Sequence, residues 1–515
     1  MRAPIGGAGA GLALGILLCI TPARSTAQTA PSPHPLTLQD AIAIALARNP
    51  TLQIGRRQVD VGRGAVLAAQ GEFDPQVETS ISRDRSEDPQ LGATGVTSAL
   101  TNSLTYKLGL TKEFRSGLTV TPEVGLSQVA TVTPAGPSTN SASVGLTLLV
   151  PLLENWRGAV VSATEDAASR EYDATISDLH QTAASSVLNA AVAYWGYLAA
   201  DRRLDVFRSS ESRAQQLVDE TERLVAADER PAGDMKQLRA NLAAKRAARI
   251  AAEQSLIEAR QQVGLALGLD PDAIATLSLP ATPFPTLPDS EVASSDTTSI
   301  ALRIAAAVQS RADVAAARER EDEARVLRDA ARNSLKPGLD LAISVGYQGL
   351  ELGRGVDQLF SPLYRNVSGL NLSVQLRYDY PLNNRRALGQ ELQNASAYAQ
   401  QRITREDLVR RISTDVLVTT QALQHSKAGL LASRQAVTLS EQSVENEKQK
   451  FRLGMSTLFD VILAEDGLTN ARLSEITSEQ SYAAAIARLR FATGTLVHVD
   501  GLHVDVRGDE LVREP

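Results

Sequence analysis

Between Leu152 and Val225 the chain runs without a proline and with only two glycines, Gly158 and Gly196. Within it Ile176, Leu179, Ala183, Val187, Ala190, Tyr194, Tyr197 and Leu204 recur at three- and four-residue steps, the period of an apolar helix face. A helix of about 70 residues measures on the order of 100 Å at 1.5 Å per residue. No single globule buries such a length, so the helix must pack laterally in a coiled coil or bundle. Leu238 to Leu267 reads as the antiparallel return. Leu388 to Arg452 and Leu458 to Ala492 repeat the arrangement, with a Pro/Ser/Thr-rich linker (residues 280–299) between the two hairpins.

The repetition extends beyond the hairpins. Residues 45–75 lie over 307–337 at one constant offset, matching Arg56 with Arg318 and Pro75 with Pro337. Gly268 meets Gly494, and Asp234 meets Asp460, at a second constant offset. The shared order of helix, proline, alternating strands, long helix, tip and helix predicts an internal duplication. The first repeat spans 28–279, with its tip near 226–234. The second spans 300–496, with its tip near 452–458, and the tail 497–515 is expected to be loosely held. At the start, Thr37 to Phe73 reads as helix, interrupted at Asn49-Pro50 because a residue before proline disfavours helical geometry.

After each matched proline the period changes from about 3.6 to 2, the strand signature. In the second half (338–381) Leu339 to Tyr347 and Leu370 to Tyr380 alternate apolar with polar. The first half (76–150) carries four such runs: Val77 to Ile81, Leu104 to Leu110, Leu118 to Leu126 and Val144 to Val150. A soluble half-buried sheet alternates in the same way. Long polar links after the first, third and fifth strands, against the short Arg115-Ser116-Gly117 link after the second, favour a membrane barrel.

Composition excludes several other classes. The net charge of −7 leaves no basic footprint for nucleic acid, and no apolar run approaches the roughly 20 residues of a membrane helix. Arg2, the apolar stretch Leu12 to Ile20 and Ser25-Thr26-Ala27 before Gln28 read as a secretory signal (residues 1–27). The single cysteine, Cys19, falls inside it, and Leu18 is not the small residue that lipidation at Cys19 would want. The mature chain is then expected to lack thiol chemistry. His34, His180, His425, His498 and His503 stand apart from one another, and no catalytic motif occurs, so no cofactor, metal site or enzymatic activity is expected.

The second tip, KFRLGMSTLFDVILAE, followed by a helix ending RLRFATGTL, resembles the TolC family of outer-membrane efflux proteins. It is similar to the family's aromatic-x-x-Gly-x-x-Ser/Thr-x-x-Asp-Val-Leu pattern, and the opening LTLQDAIAIALARNPTL is similar too. The resemblance implies a mixed α/β membrane protein, a homotrimer whose protomers share an outer-membrane β-barrel and a long periplasmic α-helical tunnel. It also implies a periplasmic adaptor and an inner-membrane transporter as partners. The function it implies is the exit duct of a tripartite efflux pump or type I secretion system.

Carried over by residue, Gly454 takes the position of the tip glycine, Asp460 that of a constriction aspartate and Asp234 that of the first-tip aspartate. Asp228 stands where the second tip has Gly454. The chain departs from the best-known members of the family at three places. Phe451 replaces a tyrosine whose hydroxyl bonds the aspartate, Ser456 replaces a pairing arginine, and Leu463 replaces a second aspartate. Arg230 is the candidate for the missing positive charge, against the reading of a solvated tip arginine. The strand count departs as well: two strands per half imply twelve in a trimer, whereas six per protomer predict about eighteen. A stand-alone porin-like barrel and a soluble coiled-coil scaffold are the alternatives. Neither has a use for helices of some 100 Å joined to barrel-length strands.

Overall fold

The computed structural model describes residues 35–92, 95–133, 137–227, 233–287, 297–501 and 503–514. The signal at 1–27, Asp228, Arg230 and the centre of the 280–299 linker lie outside the described residues.

The chain enters through two short helices, α1 (Leu38–Arg48) and α2 (Pro50–Gln70). Thr37 and Asp40 form a capping box at the start of α1. The break falls at Asn49, whose side chain accepts from the Thr51 amide at 2.9 Å and caps α2, with Pro50 in the first helical position.

Six strands follow: β1 (Gln76–Gly92), β2 (Gly95–Glu113), β3 (Thr119–Thr133) and β4 (Thr139–Pro151), then β5 (Gly338–Leu352) and β6 (Asn371–Asp379) from the second half. They form one antiparallel sheet in the order β1-β2-β3-β4-β5-β6. The β4–β5 ladder joins the two halves. Register puts apolar side chains in continuous rows on one face, because facing residues share a side and alternate residues change it. One row runs Thr79, Leu108, Val124, Val144, Tyr347; another runs Val120, Leu148, Ile343, Val374. The opposite face carries Ser80, Lys107, Gly125, Ser143 and Gln348 in one row, and Thr121, Thr147, Ser344 and Ser373 in another. On β5 the apolar band extends from Leu339 to Tyr347, close to the roughly 9–11 residues of a tilted spanning strand. Tyrosines mark its ends, Tyr106 and Tyr347 at one, Tyr378 and Tyr380 at the other. The hairpin Leu104 to Gln128, which brings the strand count to six, belongs to the sheet, with Leu104, Tyr106 and Leu108 on the apolar face.

From the sheet, α3 (Ala163–Ala226) descends, α4 (Asp234–Leu267) returns, and the short α5 (Pro271–Ala275) follows. The second half repeats this order. Here α6 (Thr297–Ser310) and α7 (Ala312–Asn333) precede β5, and α8 (Val356–Phe360) lies between β5 and β6. The hairpin α9 (Arg385–Arg452) and α10 (Leu458–Ala492) follows β6. With 64 and 68 residues, α3 and α9 each run about 100 Å. The main core lies midway along them. Tyr194, Trp195, Tyr197 and Leu198 of α3 are buried against Ile42 of α1, Val263 and Leu267 of α4, and Ala483 and Ala487 of α10.

The halves share contacts as well as order. Gly268 and Gly494 both adopt left-handed geometry, φ +73° and +71°, and close α4 and α10 with paired Schellman bonds. Gly268 abuts the Arg48 carbonyl, and Gly494 abuts the corresponding Ser310. The Asn49 side chain donates to the Ala266 carbonyl, and Arg311 donates to the matching Ala492 carbonyl. Arg56 reaches the Leu46 carbonyl as Arg318 reaches that of Val308.

Three expectations change. The long helix starts at Ala163 rather than near Leu152, because Asn155 and Arg157 turn left-handed and the Asn155 side chain binds the Val160 and Val161 amides. The polar link after the first strand is itself paired, from Arg83↔Leu104 to Gly92↔Gly95, so the β1–β2 hairpin projects beyond the apolar band. Ladder hydrogen bonds form there without an apolar face to bury. The tail is docked: Val506 and Leu511 are buried in the main core, β7 (His498–Asp500) pairs with β8 (His503–Asp505), and Glu514 accepts from the Tyr482 hydroxyl at 2.8 Å. Apolar residues too sparse to show a period decide this.

Two glycine substitutions separate strain from collision. At Gly454 only the +71° φ opposes a side chain, since nothing lies within 4 Å of a Cβ there, whereas at Gly268 a Cβ would meet the Arg48 oxygen at 2.7 Å. Gly454→Ala is expected to cost about 1 kcal/mol. Gly268→Ala is expected to cost about twice that. Thermal melting of the purified protein followed by circular dichroism ranks the two.

Candidate functional site

The helical tips lie at the end of the molecule remote from the sheet, and the second is built by two adjacent caps. The amide of Gly454 donates to the Phe451 carbonyl at 3.1 Å, and that of Met455 to the Lys450 carbonyl at 2.8 Å. Those two bonds are a Schellman motif, which requires the left-handed residue that glycine supplies. Three residues on, Thr457 caps α10. Its amide donates to Asp460 Oδ2 at 2.9 Å and its hydroxyl to the same oxygen at 2.5 Å, while Ser456 donates to it at 3.3 Å. Asp460 is thus the acidic member of a capping box. Bonds from the Thr457 hydroxyl and amide hold its carboxyl below the ordinary aspartate range. Ser456 also donates to Glu447 at 2.8 Å, tying the end of α9 to the start of α10.

The first tip packs directly against the second. Ala214 and Val218 of α3, Met235, Leu238 and Leu242 of α4, and Leu458 and Ile462 of α10 form one small buried core, with Phe451 of α9 packed on it. Phe451 therefore joins the two hairpins through its ring. Just above this core, Glu465 of α10 lies 2.6 Å from Arg213 of α3 and 2.6 Å from Lys448 of α9. Lys245 of α4 pairs with Asp466, and Thr469 donates to Ser210 at 3.2 Å in a buried contact. Burial pushes the Glu465 carboxyl up, but Lys448 and Arg213 outweigh it and hold the group below the ordinary glutamate range.

Of the residues expected at the tips, Gly454, Ser456, Phe451 and Asp460 meet within one turn. Asp234 opens α4, and Asp228 and Arg230 are outside the described residues. Sequence reasoning missed Arg213, Lys245, Lys448, Glu465 and Asp466. One signal was present: Leu458, Ile462, Glu465 and Thr469 advance by four, three and four residues. A glutamate therefore interrupts an apolar seam, the position where a polar residue specifies pairing.

The model of the family described as outer membrane efflux protein matches residues 41–269 and 304–495. The chain belongs to that family. Among solved structures, this efflux protein is similar to the outer membrane protein VceC of Vibrio cholerae. Identity is 17% and the TM-score 0.63, over 89% of this chain and 96% of that one. It is also similar to the CmeC outer membrane channel of Campylobacter jejuni (13% identity, TM-score 0.64, 89% and 85% covered). A third is the open state of the MtrE outer membrane channel of Neisseria gonorrhoeae (18%, TM-score 0.58, 89% and 88%). No curated protein matches at the level of sequence. The efflux protein is an outer-membrane protein whose long helices form its periplasmic part. Among the described residues no helix is long and apolar enough to cross a membrane.

Because the Glu465 carboxyl is depressed, its contribution is complete above the ordinary glutamate range and disappears only as pH falls through its lower folded value. The protection factor of the amides in the first turns of α10, that is, exchange corrected for its intrinsic pH dependence, is expected to hold through the ordinary glutamate range and to fall only at pH below it. Glu465→Gln should reproduce the lowered protection at pH 7, weakening the tip contact by about 1–3 kcal/mol. That is less than for a fully buried pair, since Arg213 remains partly solvated.

Proposed function

We propose that this efflux protein is the exit duct of a tripartite pump or type I secretion system. On this reading it is a trimer built from internally duplicated protomers and gated at its helical tips. The observation that carries the reading is the six-stranded sheet, with an apolar band across one face, polar side chains on the other and both edges unpaired. A sheet with one face fit for lipid and one for water resolves its edges only by closure. Val77 and Ile81 of the edge strand β1 and Leu372, Val374 and Leu376 of the edge strand β6 are exposed. Three protomers of six strands each close eighteen strands, a wider barrel than twelve.

The helices supply the periplasmic half of the duct. Apolar residues left uncovered on α2 (Ile54, Val61, Leu67), α4 (Ile250, Ile257, Leu265) and α9 (Leu388, Leu392, Ile403) support lateral contacts with neighbouring protomers. The repeated contacts around Gly268 and Gly494 support the duplication.

The gate is the second hairpin. Swinging α9 and α10 away from α3 and α4 must separate the tip core and the Arg213–Glu465 and Lys245–Asp466 pairs. Those contacts hold the closed state without the tyrosine, arginine and second aspartate of the best-known members. Leu453, Met455, Phe459 and Leu463 project from the tip with more than half of their surface exposed. Such an apolar knuckle suits a periplasmic adaptor. Substrate passes by diffusion, and the inner-membrane transporter supplies the energy.

Cysteines at Ser80 of β1 and Ser373 of β6, joined by a flexible thiol crosslinker, are expected to give a covalent trimer that resists denaturant. A product that stops at monomer overturns the closed barrel. Ile462→Asp, which places a carboxylate in the tip core, is expected to raise single-channel conductance several-fold in planar bilayers. Met455→Glu should leave the trimer intact and abolish adaptor crosslinking.

A further inference from the structure

The segment after β5 folds back over the apolar face of the sheet at the end remote from the helices. Leu359 of α8 is buried there against Leu126 and Ala142, with Tyr106 and Leu363 packed alongside. Close approach is possible because residue 349 is glycine: a Cβ there would lie 1.9 Å from the Pro362 carbonyl oxygen. Polar contacts pin the segment. The fully buried Asn140 side chain donates to the Gly353 carbonyl at 2.9 Å, and the Ser361 hydroxyl donates to Glu351 at 3.2 Å.

The outward side of this pinned element is apolar. Val356, Phe360 and Tyr364, four residues apart, are 76%, 47% and 69% exposed. Exposed arginines flank them: Arg354, 3.1 Å from the Ser138 hydroxyl, and Arg365, whose guanidinium lies 5.9 Å from the centre of the Tyr364 ring. Asp357 is the exposed acid between them. The stripe is continuous with the apolar face, immediately beyond the row of Thr79, Leu108, Val124, Val144 and Tyr347. Apolar and aromatic side chains beside basic ones, on an element lying flat at the margin of a lipid-facing surface, match an interfacial anchor.

We propose that residues 354–365 form a foot that seats in the headgroup region of the outer leaflet. Val356, Phe360 and Tyr364 enter the acyl boundary, and Arg354 and Arg365 pair with the phosphates of anionic lipid headgroups. The proposal rests on the lipid-facing barrel argued above, and the test separates the two.

Phe360→Cys, and separately Val374→Cys in the apolar face of β6, are labelled with a polarity-sensitive fluorophore. The proteins are reconstituted into vesicles of phosphatidylcholine with or without an anionic phosphatidylglycerol fraction, and the unmutated chain sets the labelling background. The expected result is a blue-shifted label at 360, quenched by lipids brominated near the headgroup and shielded from aqueous iodide. The label at 374 is quenched by bromine deeper in the chains. The anionic fraction should deepen the shift at 360, and Arg354→Gln with Arg365→Gln should remove that increment while leaving the label at 374 unchanged. A water-exposed 360 with a lipid-exposed 374 overturns the foot and leaves the barrel standing. A label at 360 shielded from both quenchers means that protein, a neighbouring copy, covers the stripe, which also overturns it. Water exposure at both positions overturns the barrel reading itself.

Discussion

A helix of about 100 Å has no interior of its own, and lateral burial of α3 is the constraint from which the other elements follow. It is packed by α1 at its middle, by α2 from there toward the sheet, by α4 along the descent, by α7 on one side and by α10 on another. Its aromatic belt, Tyr194, Trp195 and Tyr197, anchors the widest part of the core. The Tyr194 hydroxyl donates to the Leu36 carbonyl and accepts from the Thr282 amide, so the chain entry and the segment after α5 are tied to the same helix. Ion pairs reinforce the contact of α7 with α3, as in Arg170–Glu319 and Arg320–Glu171. These partly exposed pairs orient the helices more than they stabilise them.

The sheet depends on that helical frame at its base. Arg115, in the short β2–β3 turn, makes a bidentate pair with Glu165 in the first turn of α3 and lies over the ring of Phe73. Asn333 at the end of α7 accepts from the Asn155 amide in the link between β4 and α3. Strand order and helix order are therefore joined at one level, where the proposed barrel meets the proposed tunnel. At the opposite end the sheet is free of the helices, and the β1–β2 hairpin and the segment after β5 extend there.

At the tips, a shared apolar core has Phe451 on its rim, and Glu465 between Arg213 and Lys448 places the charge pairing above the turn rather than within it. Asp460 closes the N-terminal cap of α10 and so has a local role in starting that helix. The apolar part of these tip contacts responds little to salt, whereas the partly exposed ion pairs are screened.

Much of this was legible in the chain itself. The 3.6 and 2.0 periods, the Asn49-Pro50 break, the Arg115-Ser116-Gly117 turn, the Gly454 stop and the count of six strands are local properties, set by which side chains alternate and which residues tolerate a turn. The offsets linking Gly268 to Gly494 and Arg56 to Arg318 named positions that make equivalent contacts. Other features depended on tertiary structure. The pairing of Glu465 with Arg213, the burial of Val506 and Leu511, the lengthened β1–β2 hairpin and the fold-back of Leu359 all join residues far apart in sequence or lacking a periodic pattern. Periodicity records which face of an element is apolar; which other element covers that face is decided only when the helices pack and the strands find their register.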